Sequence, residues 1–446
     1  MSQNRVLVLF ADGSEAMPCH PARARQLLDA DKAAVYRYQP FTIILTERES
    51  GETQDVNLQV DPGSQTTGLA LIGHFEEGDR LIWAANLEHR GDQIKEALRK
   101  RKVVRKSRRS RKTRYRKPRF DNRARSDGWL PPSVQSRLDN VQEWGKRLNN
   151  RCPIIGIKCE TTYFDTQKIQ NPEISGTKYQ QGTLKGYELR EYLLKKFDHS
   201  CVYCGVTDVP LELDHVNPKS RGGSDRASNL VVSCIDCNQK KGSQPVEEFV
   251  EDEEKLKWIK QRQGESLKDA GVMNSIRWKV GEALEEIGLP VRYHSGGETK
   301  YNRTKQNYRK DHWIDAACVG EPNVYISDIY RPLQIKAEGR GDRRMCRVDS
   351  NGFPRTSAKQ HKRVDGFQTG DFVRAVVPGK YKLGGIHVGK VTIRSSGSFG
   401  IKTESGFVDG INSKYCELLQ RADGYSYSLE SEQNATYSAS KRSAFS

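Results

Sequence analysis

The stretch Val56-Asn57-Leu58-Gln59-Val60-Asp61-Pro62-Gly63-Ser64, with the return Gly68-Leu69-Ala70-Leu71-Ile72, decides how the chain folds. Val56, Leu58 and Val60 alternate with polar residues at the two-residue period of a strand, and Asp61-Pro62-Gly63 turns the chain. Leu81-Ile82-Trp83-Ala84-Ala85-Asn86-Leu87 follows as a third strand. The result is a β-meander whose first strand ends on a carboxylate. Ile154-Ile155-Gly156-Ile157-Lys158-Cys159-Glu160 is a further buried strand ending on an acid. His312-Trp313-Ile314-Asp315-Ala316-Ala317, after a basic loop, reads as helix with His312 one turn before Asp315. Strand-end acids are usually solvated turn residues. Clustered, they become costly to leave facing one another without cations, and they suit two divalent ions.

Composition narrows the class. The chain has 446 residues, 35% hydrophobic and 29% charged, and 18 Tyr, 13 Phe and 6 Trp argue against wholesale disorder. No apolar run is long enough to span a bilayer, and Met1–Phe10 has too short an apolar core for a signal peptide. Ten cysteines in so long a chain do not make a disulfide scaffold, and two Cys-x-x-Cys pairs read as metal in a reducing compartment. The net charge is +17, and residues 95–125 alone hold 17 Lys/Arg against 2 Asp/Glu. The remaining residues are therefore close to neutral. The pattern calls for a polyanion gripped along one segment.

Around the meander, Val6–Phe10 and Phe41–Leu45 read as strands and Pro21–Leu28 as a short helix with Pro in its first turn. Residues 91–117 contain no Pro or Gly after Gly91, so they read as one long basic helix anchored by Ile94, Leu98, Val103 and Val104. Further helices are expected over 133–148, 184–197, 246–262 and 271–287. Residues 321–365 read as loop, 367–421 as a small antiparallel barrel, and the Ser-rich tail from Ser428 as disordered.

Cys201-x-x-Cys204 and Cys234-x-x-Cys237 offer four thiolates, the donor set of a closed, structural zinc site. Between and beside them lie Leu211-Glu212-Leu213-Asp214-His215-Val216, Asn229-Leu230 and Cys237-Asn238. This block resembles the McrA-like HNH endonucleases with a zinc ribbon. The resemblance implies that His215 is the general base, that Asp214 and Asn238 hold one Mg²⁺ at the scissile phosphate, and that Asn229 braces the loop. A neutral imidazole suits proton removal near pH 7, and a hard, oxygen-bound metal suits phosphate.

Asp61-Pro62-Gly63-Ser64-x-x-x-Gly68, the strand ending in Glu160, and His312-x-x-Asp315 resemble the three segments of a RuvC-like, RNase H-fold nuclease. The basic helix separates the first two segments, and the HNH block separates the second from the third. That layout resembles type II CRISPR effector nucleases without their large helical lobe. Glu15-Ala16-Met17-Pro18-Cys19-His20-Pro21-Ala22-Arg23-Ala24-Arg25 resembles the PLMP domain of the compact, transposon-encoded IscB family, two of the four tetrad positions departing from Pro-Leu-Met-Pro. Gln180-Gln181-Gly182-Thr183-Leu184 fits the same family.

The resemblance implies a mixed α/β fold. An RNase H-like RuvC core is split in three (56–92, 126–183, 251–335). A bridge helix (93–125) and an inserted ββα-metal HNH domain with a zinc ribbon (184–250) interrupt it. A PLMP-like domain (1–55) precedes it, and a small C-terminal β-barrel (336–427) that contacts the target-adjacent motif follows, then the tail (428–446). The implied activity is Mg²⁺-dependent, RNA-guided cutting of double-stranded DNA. HNH cuts the guide-paired strand through Asp214, His215 and Asn238. RuvC cuts the displaced strand through Asp61, Glu160, His312 and Asp315. One Mg²⁺ is expected at HNH, two at RuvC and a structural Zn²⁺ at the cysteines. Arg99, Arg101, Arg105, Arg108, Arg109, Arg111, Arg114 and Arg116 are expected to bind nucleic acid. The expected partners are a guide (omega) RNA and target DNA. The expected state is a monomer with its RNA, cytoplasmic in a prokaryote and associated with the nucleoid. Two other classes fit some of the same residues: a protein-only HNH/RuvC endonuclease or resolvase, and a non-catalytic nucleic-acid-binding module.

Overall fold

The computed structural model describes residues 4–110, 126, 128–161, 187–223, 225–264, 276, 279–327, 331–339, 346–358 and 360–429. At the N-terminus, β1 (Val6–Leu9), β2 (Glu15–Cys19), β3 (Ala33–Arg37) and β4 (Thr42–Leu45) form a sheet in the order β2-β1-β4-β3, with α1 (Pro21–Asp29) between β2 and β3. His20 caps α1, its Nδ1 accepting from the Ala22 N–H at 3.2 Å. The sequence reading found β1, α1 and β4 but not β2 or β3. Both are edge strands, where a Pro such as Pro18 is tolerated; β2 alternates in burial but its inner residues, Ala16 and Pro18, are small, and β3 buries only Ala33. The module is tied to the core through Asn4, which exchanges hydrogen bonds of 2.9 and 2.8 Å with the Ala84 backbone, and through Arg5 N to Ile82 O at 3.0 Å.

The central sheet explains the rest. β5 (Val56–Asp61), β6 (Thr66–Phe75) and β7 (Gly78–Glu88) run antiparallel to one another. After α2 (Gly91–Ser110) and α3 (Pro132–Asn149), β8 (Ile154–Thr161) returns parallel to β5. The cysteine-rich block then intervenes. It comprises α4 (Tyr187–Lys196), β9 (Leu211–His215), β10 (Leu230–Cys234), α5 (Ile235–Lys241), α6 (Val246–Phe249) and α7 (Glu253–Gly264). β11 (Val291–Ser295) rejoins the sheet parallel to β8. The order β7-β6-β5-β8-β11, three antiparallel strands then two parallel ones, is the RNase H-like arrangement.

Two helices complete the third segment, α8 (Gly296–Lys305) and α9 (His312–Cys318). The two faces of the meander have different partners. Val56, Leu58, Val60, Leu69 and Leu71 pack in one core with Val134, Leu138, Val141 and Trp144 of α3. Ala70, Ile72 and Ala84 pack in another with Trp313, Ile314 and Ala317 of α9. The polar side of β5, with Asn57, Gln59 and Asp61, therefore lies under the α9 side and away from bulk water.

Beyond β7 the sheet continues with β12 (Val324–Tyr325) and β13 (Leu333–Ala337), both parallel to β7. A hairpin of β14 (Arg363–Val364) and β15 (Phe367–Gln368) follows. β16 (Phe372–Val377), β17 (Gly385–Thr392), β18 (Ser398–Thr403), β19 (Gly406–Asn412) and β20 (Cys416–Gln420) then form an antiparallel sheet in the order β19-β18-β17-β16-β20 around Val373, Val391, Phe399 and Ile401. β21 (Tyr425–Leu429) leaves this sheet and pairs antiparallel with β13. Two expectations are corrected here. Residues 321–365 are not all loop, since they contain β12, β13 and one strand of the hairpin. Ser428 and Leu429 belong to a strand and not to a tail, because Tyr425 and Tyr427 pack edge-on against Trp144 and hold β21 to the core. Residues 430–446, with the rest of the expected tail, lie outside the described residues.

Gly68 controls how closely the third segment approaches. A Cβ at Gly68 would overlap the His312 carbonyl group of α9. Gly68→Ala is expected to cost about 1–3 kcal/mol, the usual cost of forced overpacking, read as a lower urea midpoint. An unchanged midpoint would remove this close approach as a determinant of the fold.

Candidate active sites

The sheet register assembles the three acids. Val60 pairs with Cys159, so the next residues, Asp61 and Glu160, stand side by side at the ends of β5 and β8. α9 adds Asp315. Their exposures are 5%, 6% and 3%. His312 Nδ1 lies 3.4 Å from Asp61 Oδ2. Asp315 is flanked by Arg303 Nε at 2.8 Å and Lys310 Nζ at 2.6 Å. Burial alone would pull Lys310 down, but the Asp315 and Asp61 carboxylates outweigh it and leave its pKa above the ordinary value. Cys159 is pushed up by burial and then by Glu160 and Asp61. With Lys310 and Arg303 in place the three acids are not among the groups, in the described residues, whose ligand atoms all lie within 4.8 Å. Three buried oxygen donors that draw in two protein cations are a donor set that suits hard divalent ions.

A cleft of about 400 Å³ opens beside this site, lined by Gln65, Asn86, His89, Arg137, His312 and Gln334 among others. Burial, with Arg137 and His312 nearby, pushes His89 down to about 3. It contacts Thr67 Oγ1 at 2.8 Å and Asn140 Nδ2 at 3.3 Å. Sequence reasoning passed over His89, Arg303 and Lys310. The only signal was the basic loop ahead of His312.

The cysteine-rich block forms a ββα unit. β9 and β10 pair antiparallel with His215 opposite Leu230, and α5 starts where β10 ends. His215 Nε2 lies 2.8 Å from Asp225 Oδ1, while Lys219 Nζ holds the other Asp225 oxygen at 2.8 Å. Lys219 and then His215 keep the Asp225 carboxyl below the usual carboxylate range. Asn229 joins the two sides of the loop: its Oδ1 accepts from Asn217 N and its Nδ2 donates to Asn217 O, both at 2.9 Å. The loop is so tight there that a Cβ at Gly223 would overlap the Asn217 carbonyl. Asp214 is buried and doubly held, by the Tyr203 hydroxyl at 2.5 Å and by Lys241 Nζ at 3.0 Å. Burial and then Asp214 push the Tyr203 hydroxyl up. Asn238 Nδ2 donates to Glu212 Oε2 at 2.7 Å. Asp214 and Asn238 thus face different partners. Tyr203, Lys241, Asp225 and Glu212 were not singled out from sequence, although all sit within the HNH block itself.

The four cysteines converge from the Cys201–Cys204 turn, the end of β10 and the first turn of α5, with all four Sγ atoms within 4.8 Å of one another. Cys204 Sγ and Cys234 Sγ are 3.7 Å apart, close to the roughly 3.8 Å edge of a tetrahedron with zinc–sulfur bonds of about 2.3 Å. Burial raises Cys201, but backbone hydrogen bonds from Cys204, Cys234 and Tyr203 outweigh it and bring its pKa to about 7. The thiolate set fits Zn²⁺.

On α2, Arg99 is engaged by Glu96 at 2.7 and 2.8 Å. Arg101, Arg105, Arg108 and Arg109 are exposed and have no acidic partner among the described residues. Arg111, Arg114, Arg116 and the Gln180–Leu184 motif lie outside the described residues. No helix among the described residues is long and apolar enough to cross a membrane.

Comparison with known proteins identifies two family models along the chain. Residues 6–182 match the RRXRR protein family model, and residues 201–244 match the HNH endonuclease model, so the chain carries an HNH endonuclease domain. No curated protein matches. Among solved structures, T. thermophilus RuvC in complex with Holliday junction substrate is 11% identical, over 59% of this chain and 89% of that one, at a TM-score of 0.22. The type II-C Cas9 of Actinomyces naeslundii is 13% identical, over 63% of this chain and 60% of that one, at a TM-score of 0.22. Streptococcus thermophilus Cas9 in complex with the AGAA PAM is 13% identical, over 59% of this chain and 32% of that one, at a TM-score of 0.20. The chain thus spans less than two thirds of either Cas9. The strand order of the central sheet, not these likenesses, defines the fold.

Cys204→Ser is expected to release zinc and unfold the ββα unit locally, because a structural zinc contributes folding energy outright. The check is metal content per chain, with protease sensitivity between 187 and 264. Full zinc retention in the variant would exclude the four-cysteine site.

Proposed function

We propose that this chain is an RNA-guided double-strand DNA endonuclease of the IscB type. The HNH block cuts the guide-paired strand, and the RuvC-like site cuts the displaced strand. The observation that carries this reading is the order of parts on one sheet. An RNase H-like core is interrupted after β7 by the arginine-rich α2, and after β8 by the cysteine-clamped ββα unit. Four exposed arginines on α2 with no acidic partner among the described residues favour a phosphate backbone as its partner, and base pairing with a guide leaves the protein to supply charge and position.

In the HNH block, His215 takes the proton of the attacking water, and Asp225 fixes which ring nitrogen is engaged. Asp214 and Asn238 would hold one Mg²⁺, exchanging present contacts to Tyr203 or Lys241 and to Glu212 for the ion. Lys241 gives buried Asp214 a counter-charge, and Tyr203 fixes its second oxygen. At the sheet, Asp61, Glu160 and Asp315 would hold two Mg²⁺, and His312 stands at the open side beside Asp61. Lys310 and Arg303 compensate Asp315 from the protein side. Bound Mg²⁺ supplies Lewis-acid stabilisation of charge on the phosphate and on the leaving oxygen. The β16–β20 sheet is assigned to a short target-adjacent duplex motif. A protein-only nuclease would have the same two sites but place α2 on DNA.

Two experiments test this. His215→Ala is expected to leave the target strand intact and the displaced strand cut, and Asp61→Ala the reverse, each lowering its own cut by at least about 100-fold, the lower range for loss of acid–base or metal catalysis. Strand-specific end labels read this directly, and loss of both cuts in either variant contradicts two separate sites. Changing Arg105, Arg108, Arg109 and Arg111 together to Ala is expected to weaken binding of co-purified RNA. Its salt slope should flatten by about one unit per lost phosphate contact. Filter binding over a salt series decides it. Intact RNA binding with lost DNA binding would favour the protein-only enzyme.

A further inference from the structure

The far end of the face that carries Asp61 holds a cluster that neither cutting site uses. His74 near the end of β6, Asp79 at the start of β7, and Glu321 just past α9 each place one ligand atom within 4.8 Å of the others. The His74 ring is fixed on both sides: Nδ1 lies 2.6 Å from Asp79 Oδ1, and Nε2 lies 2.6 Å from Asn57 Nδ2. Glu321 is buried and receives Gln59 Nε2 at 3.0 Å and Lys158 Nζ at 2.5 Å. Asp79 and Glu321 also meet carboxyl to carboxyl, an arrangement that needs a shared proton or a cation. Burial pushes the Glu321 carboxyl up, Lys158 pulls it back, and the Asp79 carboxylate adds to the rise.

A second, independent feature points to a missing ligand. The Gln59 side chain is 0% exposed, its amide rests on Glu321, and its Oε1 has no hydrogen-bond partner among the described residues. A buried acceptor left open on the side chain that bonds Glu321 is served by a metal ion's bound water.

We propose that His74, Asp79 and Glu321 form a further metal site that takes Zn²⁺, separate from the cysteine site and from both cutting sites. One imidazole and two carboxylates make a three-ligand set that leaves a fourth position for solvent, as in other zinc sites with three protein ligands. The imidazole favours a transition metal over Mg²⁺ or Ca²⁺, which prefer oxygen throughout. Lys158 stays on one Glu321 oxygen as an outer partner and leaves the other for the ion. The ion clips the β6–β7 turn to the exit of α9. Gln59 and Lys158 each precede a site acid, Asp61 and Glu160, by two residues on the same strand, about 7 Å away along a strand. The clip therefore holds the helix that carries Asp315 from the end opposite Gly68.

The test uses the full-length protein, equilibrated with Zn²⁺ and passed over chelating resin to strip loosely held metal. Zinc per chain is measured for the wild type, His74→Ala and Asp79→Asn. Both substituted residues are partly exposed, and Asp79→Asn preserves shape where His74→Ala disturbs folding. Each variant is expected to carry one zinc fewer per chain than the wild type. In the Co²⁺-substituted protein, the thiolate-to-cobalt band of the cysteine site should persist in both variants while the weaker nitrogen/oxygen-site bands disappear. The difference between wild type and variant does not depend on whether the cysteines bind metal. Equal zinc in wild type and both variants overturns the proposal, as does a cobalt spectrum that neither substitution alters.

Discussion

The backbone of α9 lies directly on β6 because residue 68 has no side chain, and the carboxylate site follows from that one contact. Asp61 and Glu160 reach the same place through strand pairing, which fixes positions to within a residue. Asp315 has no ladder to register it. It depends on how closely a seven-residue helix can settle on the sheet, and Gly68 sets that distance at the His312 carbonyl. Trp313, Ile314 and Ala317 then fill the space on either side, against Ala70, Ile72 and Ala84. Small residues at 70 and 84 serve the same end as the glycine. They let the helix backbone, and with it a short acidic side chain, approach the sheet.

A different device holds the inserted block. Two short strands and a helix of seven residues bury too little surface to be stable alone. The four thiolates join the turn at 201–204 to the β10–α5 junction. Behind them a polar core forms in which Lys241 bonds both Asp214 Oδ1 and the His215 carbonyl, at 3.0 and 2.7 Å. That ammonium orients the Asp214–His215 pair from inside, as Asn229 orients the outer loop. Asp214 therefore has a structural role in addition to any metal-binding one. Its loss would leave Lys241 buried without its counter-charge, a costly outcome for the whole unit.

Much of the site was legible in the sequence because its chemistry is carried by residue types in informative places. Asp61 and Glu160 close apolar alternations, His215 follows an acid on a strand, and the cysteines come in spaced pairs. What escaped were the counter-charges. Lys241 pairs with Asp214 across 27 positions, and Arg37 with Asp423 across 386. No local periodicity marks such pairs. Several strands escaped for a related reason. β2 buries Ala16 and Pro18 in strict alternation, but these give no apolar signal; β3 buries only Ala33; and β13, an inner strand between β7 and β21, buries only Ile335 and Ala337. β21 reads Tyr425-Ser426-Tyr427-Ser428-Leu429, and its serines look like a tail until Trp144 supplies the surface that its tyrosines need.

Asp423 shows how these distant pairs make one body of three modules. Its Oδ2 accepts from Arg37 of β3 at 2.6 Å, from Arg147 of α3 at 2.8 Å and from the Tyr427 hydroxyl at 2.5 Å. Arg147 in turn lies over the Trp144 and Tyr425 rings, with its guanidinium carbon 5.4 and 4.9 Å from their centroids. Gln420, three residues earlier, bonds the backbone of Tyr38 and Gln39. A single carboxylate between two guanidiniums is worth more than an exposed pair, since its partners are fixed by packing and are largely screened from water. The N-terminal sheet and the last strand are therefore held to α3 at one junction, and α3 packs against the base of α2. α3 lies on one face of the meander and α9, which carries Asp315, on the other, while Arg137 of α3 and His312 of α9 meet at the cleft beside the acids. The proposed polyanion-binding helix α2 is thus braced by α3 from the face of the meander opposite the one that α9 covers.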